Sequence, residues 1–270
     1  MFGPFGESAL LGIVQGLTEF LPVSSDGHLA LAEILFKLKG GHVSNVMLHA
    51  GTLLATLIVL RRELWAAVRD GSSALLRPSR SRRTRGGRDA LVVLLASIPT
   101  ALVGLFLRQP VEQWTESPLA IGLGFLGTTA ALVLAHFSVP GDRDHPPLAG
   151  ALLLGAAQGL AVLPGLSRSG STIAVALWLG VRPERAFELS MLMSVPAVVG
   201  AVGIELAERG HVAFTPGAPA VLAALFALVT GVVALRVLRT LVARGHIGWF
   251  AFWVGPLALA TMGMGLAWPR

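Results

Sequence analysis

The chain has no cysteine, and that absence removes disulfides, thiolate nucleophiles and thiolate metal sites from consideration. Charge is nearly as scarce. Only 13% of the 270 residues are Asp, Glu, Lys or Arg, whereas an ordinary soluble domain carries about 25%. A soluble helical protein of this size needs a polar surface that so few charges cannot supply. A removable leader is not expected either. The N-terminus, MFGPFGESALLGIV, has no basic start and no small-residue cleavage pattern, so it reads as a membrane segment.

What the chain does contain is apolar sequence, at 54% of all residues. Apolar windows of about 20 residues recur along nearly the whole length, the pattern of an all-α polytopic membrane protein. The net charge of +6 is concentrated: nine arginines fall between positions 61 and 89, against Glu63, Asp70 and Asp89. A cytoplasmic loop obeying the positive-inside rule explains this better than a nucleic-acid patch, so no nucleic-acid partner is expected. The distal part, RPSRSRRTRGGRD (77–89), reads as a mobile loop within reach of anionic lipid.

Placing 61–89 inside orders the remaining chain. Six spans follow, at 43–60, 90–108, 119–138, 185–207, 218–238 and 247–267. QPVEQWTESP (109–118) and the loop at Glu208 and Arg209 then lie outside. VPGDRDHPP (139–147) and Arg236, Arg239 and Arg244 lie inside. Two apolar stretches are left over, 8–38 and 148–180, interrupted at Pro22 to Gly27 and at Pro164 to Gly170. Each half is shorter than the roughly 20 residues a crossing needs. A hairpin that dips to mid-membrane and returns to its own side preserves the charge pattern, and irregular backbone at that depth belongs where it lines a protein cavity.

The two breaks resemble each other. QGLTEFLPVSSDG (15–27) and QGLAVLPGLSRSG (158–170) share QGL and LP, and three spans follow each. With one hairpin entering from outside and the other from inside, the expected fold is an inverted-topology repeat. Each half is a re-entrant broken-helix hairpin plus three transmembrane helices. The chain is then one integral membrane domain, with repeat one at about 1–138, repeat two at about 148–270 and the basic loop at about 61–89.

Polar groups at bilayer depth are expensive and mark function by default. Gln15 and Glu19 are four apart, on one helix face. Pro22 is expected to end that helix, with Ser24, Ser25, Asp26 and His28 gathered around a turn closed by Gly27. Ser24 and Asp26 also suit helix capping. In the second break Ser167, Arg168, Ser169, Ser171 and Thr172 accompany Gly165 and Gly170. An arginine among hydroxyls at a helix start is what phosphate recognition needs. A carboxylate beside phosphate needs an intervening cation, so Glu19 with Gln15 and Asp26 suggests a divalent metal such as Mg²⁺. A carboxylate, an imidazole, a serine and an arginine together form a set suited to phosphoryl transfer.

At these residues the sequence resembles the undecaprenyl-diphosphatase family of the bacitracin-resistance type. The resemblance rests on QGLTEFLPVSSDGH (15–28), PGLSRSGST (164–172) and LHAGTLLATLIVLRRELW (48–65), and it extends over essentially the whole chain. It implies hydrolysis of undecaprenyl diphosphate to the monophosphate and inorganic phosphate, which recycles the carrier lipid of cell-wall synthesis and confers bacitracin resistance. It further implies a bacterial plasma (inner) membrane protein with its site facing outward, and dependence on a divalent metal, Mg²⁺ or Ca²⁺. Carried over by motif, Gln15, Glu19, Ser25, His28 and Arg168 are functional positions, and Ser167, Ser169 and Thr172 support the phosphate along with Ser24. Gln15 stands where some relatives have Glu, and Asp26 where a small residue is common. The partners implied are a polyprenyl diphosphate and membrane lipids, with self-association left open.

In this reading Arg168 holds the diphosphate, Ser25 or a water attacks the terminal phosphorus, and His28 relays the proton. A transporter or flippase for polyprenyl phosphate lipids is the rival, since broken helices in inverted repeats are also transporter anatomy. His42, His49, His136, His145, His211 and His246 lie outside the breaks and read as interfacial or packing residues. The six tryptophans read mostly as interfacial anchors.

Overall fold

A computed structural model describes residues 3–36, 42–73, 83–139, 141–208 and 216–267. Arg209, His211, Trp268 and the 74–82 part of the basic loop lie outside the described residues. Among the described residues all regular structure is helical, apart from one isolated bridge between Arg143 and Val181.

The first interrupted stretch forms α1 (Pro4–Thr18) and α2 (Ser25–Phe36). Next come α3 (His42–Val59), α4 (Arg61–Ser72), α5 (Arg85–Thr115) and α6 (Pro118–His136). The second interrupted stretch forms α7 (Leu148–Leu160) and α8 (Arg168–Trp178). It is followed by α9 (Pro183–Glu208), α10 (Ala218–Ala243), a short 3₁₀ turn (Ile247–Phe250) and α11 (Ala251–Ala267). Five segments among the described residues are long and apolar enough to span a bilayer: Arg85–Val111, Pro118–His136, Pro183–Ala207, Ala218–Ala243 and Ile247–Ala267. The sixth expected span, 43–60, coincides with α3. The chain is a multi-pass α-helical membrane protein.

The packing is reciprocal. The first arm of one hairpin, α1, lies along α10, while the first arm of the other, α7, lies along α5; α6 and α11 pack on each other. Both α1 and α7 make their contact through a pair of glycines four residues apart, the small-residue seam that lets membrane helices approach backbone to backbone. A Cβ on Gly12 would sit 2.4 Å from the Ala223 carbonyl oxygen, and one on Gly155 would sit 2.0 Å from that of Ala96. Gly16 and Gly159 continue the two seams against Ala227 and Val103.

Two expectations shift. The stretch 85–89 is the first turn of α5 rather than loop, because the Thr84 side chain caps the helix by accepting from the Gly87 amide at 3.1 Å. α5 also runs on through Pro110 to Thr115, so most of the expected loop at 109–118 is helical. A buried ion network ties the start of α5 to its neighbours. Arg185, fully buried, pairs with Asp89 and with Glu188, the latter at 2.5 Å. Asp89 also meets His145 at 2.7 Å, and Glu188 is reached by Arg85 and Arg239. His145 is therefore part of a buried charge cluster rather than an interfacial residue.

Candidate active site

α1 stops earlier than Pro22 suggests. Its last helical residue is Thr18, and Glu19 is the C-cap, its amide still bonded to the Gln15 carbonyl at 2.9 Å. Glu19 is thus the first residue of the break, not a residue inside the helix before it. The reason lies downstream: Val23 folds back on the Leu21 carbonyl at 2.7 Å, a tight turn that the restricted backbone ahead of Pro22 favours. Ser24 completes it with φ +70°, the one non-glycine residue with positive φ among the described residues. Such left-handed backbone costs of order 1–3 kcal/mol and gathers at functional sites. Ser25 then opens α2.

Gly27 does not close the turn. It lies in the first turn of α2, where a Cβ would stand 2.9 Å from the Gly165 Cα and 2.7 Å from the Phe125 ring. The two breaks touch here. Gly165 itself has φ +87°, and a Cβ on it would fall 2.2 Å from the Ile121 carbonyl oxygen. Thr128 on α6 fixes the second break from behind, donating to the Gly165 carbonyl at 2.8 Å and accepting from the Ser167 amide at 2.8 Å. Ser167 caps α8 by accepting from the Gly170 amide at 3.1 Å.

Across this junction Arg168 Nη2 reaches Glu19 Oε1 at 2.5 Å, joining residues 149 positions apart. Ser25 Oγ donates to the other carboxylate oxygen, Glu19 Oε2, at 2.7 Å, and Gln15 Nε2 donates to the same oxygen at 3.2 Å. The side chains of Glu19 and Arg168 keep only 8% and 16% of their exposure. Glu19, Ser24, Ser25, Asp26, Ser167 and Arg168 line one end of a cavity of about 610 Å³. Two buried polar atoms of this group have no protein partner, Arg168 Nη1 and Gln15 Oε1. Gln15 stands behind Glu19 and does not line the cavity. A guanidinium nitrogen left over in a polar pocket is positioned to donate to an anion.

Some expected members stand elsewhere. Ser169 is buried beside Ser167, their hydroxyls 3.3 Å apart. Thr172 donates back to the Arg168 carbonyl at 2.8 Å and meets the Ser190 hydroxyl at 2.6 Å, fastening α8 to α9. Neither lines the cavity. His28 does not line it either. Its Nδ1 donates to the Ser24 carbonyl at 2.8 Å, and its Nε2 accepts from Trp253 Nε1 at 3.1 Å. Both ring nitrogens are engaged, with the ring edge-on to Phe125. Trp253 is accordingly more than an anchor.

His49 lines the cavity instead. Its Nδ1 donates to the Asn45 carbonyl at 2.9 Å, which leaves Nε2 as the unsubstituted nitrogen. The signal was present in LHAGTLL: a histidine in the middle of an apolar span is costly unless it serves a cavity. Gln158, the counterpart of Gln15, also lines the cavity, bonded to Thr100 and to the Met193 carbonyl.

Among the described residues no group of three or more His, Cys, Asp or Glu side chains converges as a metal cage. The donor set nevertheless suits a hard cation, since Mg²⁺ is ordinarily held by one or two carboxylates plus the phosphates of its substrate. Glu19 and the exposed Asp26 share the cavity, and Gln15, bonded to Glu19, carries a spare oxygen in Oε1.

Fold and site together define a polytopic α-helical membrane protein with a cavity lined by polar side chains where two broken helices meet. The family model for "Bacitracin resistance protein BacA" matches residues 8–260, and the chain belongs to that family. It is similar to an undecaprenyl-diphosphatase of Korarchaeum cryptofilum, 34% identical over 96% of this chain and 98% of the relative. Another of that name, from Desulfosudis oleivorans, is 38% identical over 96% of this chain and 98% of its own. A third, from Acaryochloris marina, is 38% identical over 95% and 96%.

Proposed function

We propose that this protein is a membrane phosphatase that hydrolyses undecaprenyl diphosphate to undecaprenyl phosphate and inorganic phosphate. That reaction recycles the carrier lipid of cell-wall synthesis and confers bacitracin resistance. The observation that carries the reading is the contact of Ser25 and Arg168, from opposite breaks, with the two oxygens of one carboxylate, Glu19. The names of the relatives support it.

The chemistry follows from that geometry. The terminal phosphate takes the spare nitrogen of Arg168 and competes with Glu19 for the guanidinium. Ser25 Oγ attacks the terminal phosphorus as its proton passes to Glu19, the acceptor it already faces. The bond from that phosphorus to the bridging oxygen breaks, and polyprenyl phosphate departs. Water then cleaves the phosphoserine, releasing inorganic phosphate and returning the proton to Ser25. Ser24 and Ser167 flank the phosphate at the cavity wall, while His28 acts on Ser25 indirectly by holding the Ser24 carbonyl. A divalent cation, Mg²⁺ or Ca²⁺, would be held by Asp26, Glu19 and Gln15 Oε1 and, when bound, would neutralise diphosphate charge.

We further infer an inverted repeat from the reciprocal packing of α1 on α10 and α7 on α5. With the arginines of 61–89 on the cytoplasmic side of the plasma membrane, the cavity faces the outer side. Purified protein in detergent should release phosphate from undecaprenyl diphosphate, and Ser25→Ala should not. Lipid transfer across vesicles without phosphate release would instead assign the paired breaks to a transporter.

A further inference from the structure

The helix α4 takes no part in the site, and at 12 residues it is too short to cross a bilayer. Its sequence, RRELWAAVRDGS, is two-sided. At about 100° per residue, Arg61, Arg62, Trp65, Val68, Arg69 and Ser72 share one side of the helix, and all of them are exposed. The other side is committed to α5. Ala67 is buried, a Cβ on Gly86 would stand 2.4 Å from the Ala66 carbonyl oxygen, and one on Gly71 would stand 2.7 Å from the Ala90 Cβ. Both acids of α4, Glu63 and Asp70, also lie off the exposed side. What faces outward is a tryptophan and a valine, 67% and 62% exposed, set among arginines. This face continues a stripe that begins on the apolar helix α3. Leu54 and Ile58 are exposed there, and positions 54, 58, 61, 65 and 68 follow one another at helical spacing. The register is kept through Leu60, whose amide bonds the Thr56 carbonyl and whose carbonyl accepts from the Leu64 amide, each at 2.9 Å.

We propose that this face of α4 docks on the headgroup layer of anionic phospholipid. Trp65 and Val68 enter the boundary of the acyl chains, and Arg61 and Arg62 hold lipid phosphates. The occupant is argued from charge and continuity. An amphipathic ring such as that of tryptophan settles at headgroup level, and basic side chains beside it are drawn to an anionic leaflet. A guanidinium matches two phosphate oxygens at once. Among the described residues neither Arg61 nor Arg62 has an acidic partner, whereas Arg69 is bonded to Asp70 at 2.8 Å. A second copy of the chain is a poorer occupant, because a two-fold contact brings the same patch together and sets arginines against arginines. Docking there would brace the start of α5, which carries Arg85 and Asp89 of the buried ion network.

The absence of native cysteine makes a clean test available, because Val68→Cys supplies a single thiol for a nitroxide label. The labelled protein is placed in nanodiscs of phosphatidylcholine, with or without phosphatidylglycerol. Collisions of the nitroxide with dissolved oxygen and with a water-soluble nickel chelate then report its depth. With phosphatidylglycerol the label should lie about 5–10 Å into the headgroup and acyl boundary and favour oxygen over nickel. Without it, nickel should gain access. Adding Arg61→Gln and Arg62→Gln should abolish the difference between the two bilayers, since losing both charges weakens docking about thirtyfold. Salt at about 1 M, which shortens screening to about 3 Å, should do the same with both arginines in place, so the test does not depend on how the substituted chain folds. A label equally open to nickel in both bilayers would put the face in water and overturn the docking. Equal depth in both would overturn the role of the arginines. Dipolar broadening between labels in detergent, relieved by dilution with unlabelled chain, would give the face to a second copy instead.

Discussion

Glu19 and Arg168 meet at 2.5 Å although each sits at the end of a different broken helix, and no backbone element runs from one to the other. The two form an ion pair that joins the breaks in addition to the close backbone contact of Gly27 with Gly165.

Breaking that pair from one side should be costly. Arg168→Met leaves a nearly buried carboxylate without its counter-charge. Removing one member of a fully buried pair costs about 3–5 kcal/mol. With Arg168 still 16% exposed we expect somewhat less, about 2–3 kcal/mol. Thermal unfolding in detergent measures it. Adding Glu19→Gln should restore most of the stability and none of the phosphatase activity; recovery of activity would refute the phosphate role of Arg168.

The serine and the two histidines separate by kinetics. Ser25→Ala should lower kcat by at least about 10³-fold, as loss of a nucleophile that acts as a unit with its base does. Rapid quenching with terminally labelled substrate should leave label on Ser25 in the unsubstituted protein. Full label turnover through free water alone would assign the attack to water.

His49 lines the cavity with Nε2 unsubstituted, in place to take a proton from the water that cleaves the phosphoserine. His49→Ala should therefore reduce kcat by about 10²-fold, and imidazole in the buffer should restore part of it. His28→Ala should not respond to imidazole. Its defect should be reproduced in kind by Trp253→Phe, which removes the hydrogen bond to His28 Nε2. Imidazole rescue of His28→Ala would return the relay to that residue.

The junction itself is sensitive to a single methyl group. Gly165→Ala must place a Cβ 2.2 Å from the Ile121 carbonyl oxygen in left-handed backbone. We expect a loss of about 2–3 kcal/mol from strain and displacement, with activity falling in parallel. An active, equally stable variant would show that the second break does not pack against α6 as closely as this.

In the buried ion cluster, Arg185→Met takes the fully buried counter-charge away from Asp89 and Glu188, which keep His145, Arg85 and Arg239 as partners. It should destabilise by about 3 kcal/mol without altering KM. A change in KM with unchanged stability would place the cluster in the reaction path.

The membrane fold was readable because composition and arginine placement are physical constraints that operate one residue at a time. The pairing of the breaks was readable because QGL and LP recur in both, with the prolines one residue out of step and glycines twelve residues after each Gln. The site was legible only in part. Glu19, Ser25 and Arg168 stand together because each lies in or beside a break. Ser169 and Thr172 share the same motif, yet helix geometry turns them toward Ser167 and Ser190. Motif adjacency cannot tell one face of α8 from another. His28 stands off the cavity wall for a similar reason, since its partner Trp253 is 225 positions away. His49 lies on α3, outside both breaks though within the stretch 48–65, and tertiary packing brings it to the cavity.

The most direct test is a double-mutant cycle in kcat/KM for phosphate release, using Glu19→Asp, Arg168→Lys and the two combined, variants mild enough to leave measurable turnover. If the residues act as one unit, the double variant loses little more than the worse single one. If the two losses multiply, Glu19 and Arg168 work independently and the site described here is not the one that hydrolyses the substrate.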